Sequence, residues 1–526
     1  MLVHNFFDFY TDRFPNNLCL VFEGQSYSFS EVAKEVDILV AGLQKLGLKS
    51  GDRIALLNEN CPEYIHTLFA ASKLGCVVLP LNYRLAPAEL IFIIADSQAK
   101  LLLVPDDNMQ TLLSGIESLA EAMPPVITKL ATSGSNRLAW SDCFSAQATV
   151  DESLMSRDQF DENSPYLQIY TSGTTGHPKG VLLSHRNLSN GALSGIFAAR
   201  HRPQLGSLDL VCAPNFHIGG SGSMLIPILA GGGIVLHKTF DPAAVIADLQ
   251  GFPITTTFLV PAMILAIVSN VPGIEDMQFP DLKQISYGAS PINSTLLKKA
   301  LGIFECDFYQ LYGLTESTGT VISLSAEDHL RALDGQEHLL ASCGRAQIGV
   351  EIRIIDEDGN QCAPNEIGEI LIKSGTVMLG YHGLTEQTAE AIKDGWLHSG
   401  DSGAKDEEGY IYIKDRIKDM VVSGGENIYP IEVENALAQH PAISDIAVIG
   451  VPDEKFGEAL MACLVLNSGQ QLDEQEMVNF CRDKLAGYKI PRQLQVLDAL
   501  PRNPSGKVLK TELRKPFWEG HGRSVG

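Results

Sequence analysis

Short apolar runs alternate with amphipathic stretches along most of this chain, and no other feature limits the fold as strongly. RIALLN (53–58) reads as a strand and PEYIHTLFAASKLG (62–75) as a helix; VVLP (77–80), PAELIFIIADSQ (87–98) and KLLLVP (100–105) repeat the pattern. It returns at TTTFLVP (255–261) followed by AMILAIV (262–268), and at QISYGA (284–289). Such alternation predicts an α/β sheet with helices on its faces. Past residue 345 the texture changes. EIRIID (351–356), EIGEILIKS (366–374) and YIYIKD (410–415) are short alternating strands separated by turn pairs such as Asp358-Gly359 and Glu408-Gly409, which predicts a small β-barrel. Beyond Lys418 a separate α+β unit is expected, with helices over 431–440 and 474–485 and strands over 445–450 and 459–466.

A chain of 526 residues allows two to four domains at about 150 residues each. Its 39 basic and 63 acidic residues give a net charge of −24, which repels phosphate backbones and argues against nucleic acid as a partner. Single nucleotides stay open, because a local nest of backbone N–H groups can hold phosphate on an acidic protein. Ten cysteines without a CxxC pair read as reduced, buried thiols, and cytoplasmic localisation is expected. The opening MLVHNFFDFYTDRF carries Asp8 and Asp12 and does not read as a secretory signal. The uncharged stretch from Leu210 to His237 is broken by Pro214, Pro227 and many glycines. It reads as buried core and loops, with no stable membrane insertion.

The densest chemical signal is YTSGTTGHPKGV (170–181), flanked by apolar segments and therefore a loop between two strands. Gly173, Gly176 and Gly180 permit left-handed backbone and close approach of a ligand, Thr171, Ser172, Thr174 and Thr175 supply hydroxyls, and Lys179 adds a cation. The set suits a polyphosphate held by N–H and O–H groups. It is not a Walker loop, because Gly180 is followed by Val181 where that motif needs lysine. Gly/Ser/Thr runs are usually plain surface loops; the density of this one argues otherwise.

Four strings follow in order: YGLTE (312–316), Asp401 within LHSGDSG (397–403), RIKDMVVSGGENIYP (416–430) and Lys507 within NPSGKVLK (503–510). Singly, each reads as ordinary loop or surface. As an ordered set across essentially the whole chain they resemble the adenylate-forming superfamily of acyl-CoA synthetases, firefly-type luciferases and peptide-synthetase adenylation domains. The likeness is greatest to fatty- or aromatic-acid:CoA ligases.

That resemblance implies an α/β fold with a large N-terminal AMP-binding domain, residues 1–417, of stacked α/β sheets plus a small β-barrel. A small mobile α+β domain, 418–526, would follow and carry a catalytic lysine, with the active site between the two. ATP, Mg²⁺ and CoA are the implied cofactors. Thr171, Ser172, Gly173, Thr174, Thr175, Gly176 and Lys179 would grip the β- and γ-phosphates. Tyr312 would stack on adenine, Thr315 contact the α-phosphate, and Glu316 bind Mg²⁺, a hard cation that prefers carboxylate oxygen. Asp401 would take both ribose hydroxyls, with Arg416 assisting. Adenine would lie against Gly288-Ala289-Ser290, where many relatives carry a second glycine in place of Ala289. Lys507 would bridge the substrate carboxylate and the α-phosphate. A hinge at Lys418 would then remove Lys507 and bring Ser423, Gly424 and Gly425 to a pantetheine tunnel.

The acid pocket is expected near Phe216-His217. Amino-acid-activating relatives usually carry aspartate where this chain has His217, and a buried ammonium without an anionic partner is costly, so amino acids are poor candidates. His217 would gate the tunnel or pack in the core. Gly219, Gly220, Ser221, Gly222 and Ser223 offer a roomy slot for a medium aliphatic chain or a flat aromatic acid, or else serve tight packing; Gly313 and Ala289 would complete the pocket. The leading expectation is an AMP-forming acid:CoA ligase. The alternatives are transfer of the adenylate to a carrier protein or to oxygen, and a non-catalytic nucleotide-binding relative. A homodimer is left open.

Overall fold

The computed structural model describes all residues except 121, 130–136, 155–159, 172–177, 290, 291, 293, 417, 418, 424, 425, 454, 455, 483, 503–506 and 519–526. Among the described residues, strands Val77–Leu81, Arg53–Leu57, Leu101–Val104, Val126–Thr128 and Arg137–Ala139 lie side by side in parallel. Pro165–Thr171 extends that sheet in parallel, and Lys179–Ser184 and Gly380–Tyr381 finish it antiparallel. Leu56, Val78, Leu79 and Leu103 are fully buried, as expected of parallel strands covered on both faces. Helix Pro62–Leu74 starts with proline in its first turn and ends at Gly75 in left-handed backbone, φ 71°, which supplies the usual start and stop.

A second sheet sets Leu18–Phe22, Gly233–Leu236, Leu208–Val211, Thr256–Leu259, Gln284–Gly288 and Asp307–Leu314 in parallel. One apolar cluster joins Leu56 and Phe69 of the first unit to Met224, Leu225 and Ile234 of the second, so the two sheets with their helices are packed into one body. A third, antiparallel sheet joins Val350–Ile355, Gly368–Ser374, Trp396–Lys405 and Ile392–Lys393, with Ile411–Arg416 also on Trp396–Lys405. It occupies the place of the small barrel in a form whose described pairings leave it open. The C-terminal unit has its own sheet, built on the long hairpin Ile443–Asp453 and Gly457–Leu466, and its own core around Ile428, Val448, Leu464 and Met477.

The stretch Leu210–His237, expected as buried core and loops, is core at Leu210, Met224, Ile228 and Ile234, but the expectation missed a helix within it, Ile218–Leu229, which includes Pro227. Glycine is a poor helix former, but here close packing sets the requirement. A Cβ on Gly220 would sit 1.9 Å from the Pro214 carbonyl oxygen, and Ser221, fully buried, donates its hydroxyl to the Asn215 carbonyl at 2.6 Å. Gly220 and Ser221 therefore serve packing and do not open a slot. Among the described residues no helix is long and apolar enough to cross a membrane.

Candidate active site

The glycine- and hydroxyl-rich loop hangs from a hairpin whose last rungs pair Tyr170 with Gly180 and Thr171 with Lys179. Residues 172–177, and with them Ser172, Gly173, Thr174, Thr175 and Gly176, lie outside the described residues. Behind the hairpin runs a polar chain. Arg53 Nε donates to Gln168 Oε1 at 2.7 Å, Gln168 Nε2 donates to the Tyr170 phenol at 3.2 Å, and that phenol donates to Asp96. A Cβ on Gly180 would come within 2.6 Å of Gln168 Nε2, so glycine is what allows this bracing. Lys179 Nζ stands 4.9 Å from the centroid of the Tyr381 ring, within cation–π range.

The second element is the turn after strand Asp307–Leu314. A Cβ on Gly313 would fall 1.8 Å from the Gly319 carbonyl oxygen, so the strand and its return cross with no room for a side chain. Thr315–Ser317 forms a single 3₁₀ turn, closed by Thr318 in left-handed backbone, φ 56°. A β-branched residue there is strained; the Thr318 hydroxyl donates to the Thr376 carbonyl at 2.5 Å and helps hold it. Glu316, displayed by this turn, accepts a hydrogen bond from the Tyr381 phenol at 3.0 Å on Oε1. A carboxylate just past the end of a strand, with a lysine in contact with the same tyrosine, suits a hard cation bound together with phosphate oxygens.

Asp401 lies on strand Trp396–Lys405 and is 5 % exposed. The Tyr312 phenol donates to its Oδ2 at 2.7 Å. Burial, then the neighbouring carboxylate, holds that phenol well above its usual pKa, so it stays a donor. Tyr312 and Asp401, expected to act on separate parts of a nucleotide, thus form one hydrogen-bonded pair across two sheets. Glu369 shapes the turn before Asp401, accepting from the Gly400 N–H at 3.2 Å and pairing with His398 Nδ1 at 2.7 Å. Arg416 is the backbone partner of Asp401 on the next strand.

Gly288 ends its strand where a Cβ would meet the Leu311 carbonyl oxygen at 2.2 Å. Ala289 follows with φ 68°, a left-handed conformation that glycine adopts without the Cβ penalty. Ser290 lies outside the described residues. The left-handed region costs an L-residue roughly 1–2 kcal/mol, part of which glycine returns through its freer unfolded chain. Ala289→Gly is therefore expected to raise unfolding stability by about 0.5–1 kcal/mol, read as a higher urea midpoint at unchanged slope.

His217 precedes the helix Ile218–Leu229, its ring 4.7 Å from Phe216, which in turn packs edge-on to Tyr83 at 5.4 Å. Burial, and then the Arg84 charge, pushes its pKa down to about 4, so the imidazole is neutral at pH 7. Its Nε2 and Asn215 Nδ2 are buried without a hydrogen-bond partner in the described structure, two polar atoms at the end of strand Leu208–Val211. Gly219 is half-buried and faces the Phe258 ring, 3.3 Å from where its Cβ would be.

The C-terminal unit carries the remaining residues. Lys507 sits beside the bridge that pairs Arg502 with Val508, and ion pairs Arg502–Asp445 (2.6 Å) and Lys510–Glu434 (2.9 Å) anchor this stretch to the unit. Ser423 ends strand Val421–Ser423 opposite Glu426 and Gly457. Lys418, Gly424 and Gly425 lie outside the described residues. Sequence reasoning missed Tyr381, Glu369 and the Arg53–Gln168 chain. A glycine–aromatic pair after a short strand, Gly380-Tyr381, was the one available signal.

The AMP-binding enzyme family matches residues 7–382, and the AMP-binding enzyme C-terminal domain matches residues 432–507. The chain is 34% identical over 521 residues to a fatty acid–[acyl-carrier-protein] ligase, ScoC, of Streptomyces coeruleorubidus, covering 98% of this chain and 96% of that one. It is 36% identical to a feruloyl-CoA synthase of an Amycolatopsis species, covering 94% of each. Among solved structures it superimposes on the o-succinylbenzoate CoA synthetase MenE of Bacillus subtilis in complex with ATP and magnesium, with a TM-score of 0.81, 28% identity and coverage of 97% and 99%. With the hairpin rungs at Tyr170–Gly180 and Thr171–Lys179, the Glu316 turn and the Tyr312–Asp401 pair in place, this chain belongs to the AMP-binding enzymes.

Proposed function

We propose that this chain joins a carboxylic acid to a thiol at the expense of ATP, with AMP and pyrophosphate as products. Hydroxide is a poor leaving group from an acid, so the carboxylate oxygen first attacks the α-phosphorus and pyrophosphate departs with its bonding electrons. The thiol sulfur then attacks the acyl carbonyl of the adenylate, its proton passes to water, and AMP leaves. Both steps crowd negative charge, which fixed cations and donors stabilise.

The observation that supports this reading is the clustering of Tyr312 on Asp401 and of Lys179 and Glu316 on Tyr381, which suits a nucleoside at the first set and a metal-bound phosphate at the second. Asp401 would accept from the ribose diol while Tyr312, oriented by it, lies along adenine beside Ala289. Lys179 and Thr171 would hold the β- and γ-phosphates, and Thr315 the α-phosphate. Mg²⁺, held by Glu316, would supply charge neutralisation on the phosphates. Residues 1–417 form the nucleotide-binding domain and 418–526 the mobile one, bringing Lys507 in for the first step and Ser423 for the second. His217, neutral and packed beside Phe216, which in turn meets Tyr83, fits an uncharged acyl group, a medium-chain fatty or an aromatic acid.

CoA is the proposed thiol. A carrier-protein thiol is the second reading, favoured by the similarity to the Streptomyces carrier-protein ligase. A screen of acids from acetate to long-chain fatty acids, with benzoates and cinnamates, run against CoA and against a phosphopantetheinyl carrier, separates the two. Thioester on CoA with a medium-chain or aromatic acid is expected. Product on the carrier alone would replace CoA by the second reading.

A further inference from the structure

Residues 374–382 tie the hairpin Pro165–Thr171 and Lys179–Ser184 and the helix after it to the Glu316 turn. Asn187 Nδ2 donates to the Gly375 and Val377 carbonyls (2.9 and 2.8 Å), the Met378 N–H to the Glu316 carbonyl (2.8 Å), and the His382 N–H to the Gly180 carbonyl (2.7 Å). Between them Gly380–Tyr381 pairs with the strand Lys179–Ser184, and the Tyr381 N–H is fixed by the Thr388 hydroxyl at 2.9 Å. This backbone places one side chain, Tyr381, in contact with two charges. Its phenol donates to Glu316 Oε1 at 3.0 Å, and its ring face lies 4.9 Å from Lys179 Nζ.

A carboxylate and an ammonium that serve one metal–triphosphate attract each other when the ligand is away. A direct ion pair would have to break before ATP could bind. Here each charge instead has a contact on Tyr381, the anion at the hydroxyl and the cation at the ring. We propose that Tyr381 is a positioning residue that keeps Glu316 and Lys179 apart and aimed for a metal-bound triphosphate. The inference rests on the reading of Glu316 as metal ligand and Lys179 as phosphate ligand.

Two variants separate the two contacts. Tyr381→Phe keeps the ring and removes the hydroxyl; Tyr381→Leu removes both and frees Lys179 to pair with Glu316. ATP binding to the full-length protein is measured by calorimetry without metal and over a Mg²⁺ series. In Tyr381→Phe, metal-free ATP binding should stay within about twofold, while the Mg²⁺ concentration needed for half its enhancement rises about fivefold, as for one lost hydrogen bond. In Tyr381→Leu, metal-free binding should weaken by up to about fivefold, the size of an exposed ion pair. That loss should shrink below about twofold when Glu316→Gln is also present, because the competing pair can no longer form.

An unchanged Mg²⁺ requirement in Tyr381→Phe overturns the proposal. So does an equal loss from Tyr381→Leu in both Glu316 backgrounds, which is what a merely structural role gives. If the unsubstituted protein binds no ATP, the nucleotide reading itself fails, a result distinct from either of these.

Discussion

Lys507→Ala is expected to slow adenylate formation by about 10²–10³-fold, the usual loss when one preorganised charge donor is removed from a transition state. Thioester formation from pre-made acyl adenylate should continue at close to the normal rate. The asymmetry follows from the placement of Lys507 in a unit with its own sheet and core, anchored there by Arg502–Asp445 and Lys510–Glu434. If that unit swings as proposed, its lysine serves one half-reaction and is absent from the other. Single-turnover assays of the two steps decide the matter, and equal losses in both would contradict the assigned role.

The second large effect is at Asp401. Asp401→Ala removes the proposed acceptor for two ribose hydroxyls and leaves the buried Tyr312 phenol without its carboxylate. Hydrogen bonds to a charged group contribute about 1.5–3 kcal/mol each, so kcat/KM for ATP should fall by about 10²-fold or more, mostly through KM. Tyr312→Phe removes the orienting contact alone and should cost about fivefold. The KM for the acid should change little in both. An Asp401→Ala enzyme with a normal KM for ATP would contradict this assignment.

The alternation of apolar runs and amphipathic helices made an α/β sheet with covering helices legible, because a buried parallel strand such as Leu101–Val104 is apolar throughout and its helices carry plain start and stop residues. That the strands divide between two sheets was implied only by the family resemblance. The helix Ile218–Leu229 was not legible. Its glycines argue for loop by propensity, and only the nearness of the Pro214 carbonyl, set by tertiary packing, shows why they are tolerated. At the site, Thr171, Lys179, Tyr312, Glu316 and Asp401 were readable as chemistry-bearing residues in ordered strings. Their pairing was not. The Tyr312–Asp401 contact spans 89 positions and the Tyr381–Glu316 contact 65, and register between separate sheets leaves no local trace. Tyr381 looked like any aromatic near a turn. Ala289 shows the opposite case, an oddity in the sequence that the positive φ turns into a physical statement.

Acid-dependent exchange of labelled pyrophosphate into ATP, with Mg²⁺ and no thiol present, reads the reversible first step by itself. Exchange is expected with at least one uncharged-chain fatty or aromatic acid and should vanish when the acid is omitted. Exchange with none of the acids, under conditions where the protein binds ATP, would contradict adenylate formation at this site.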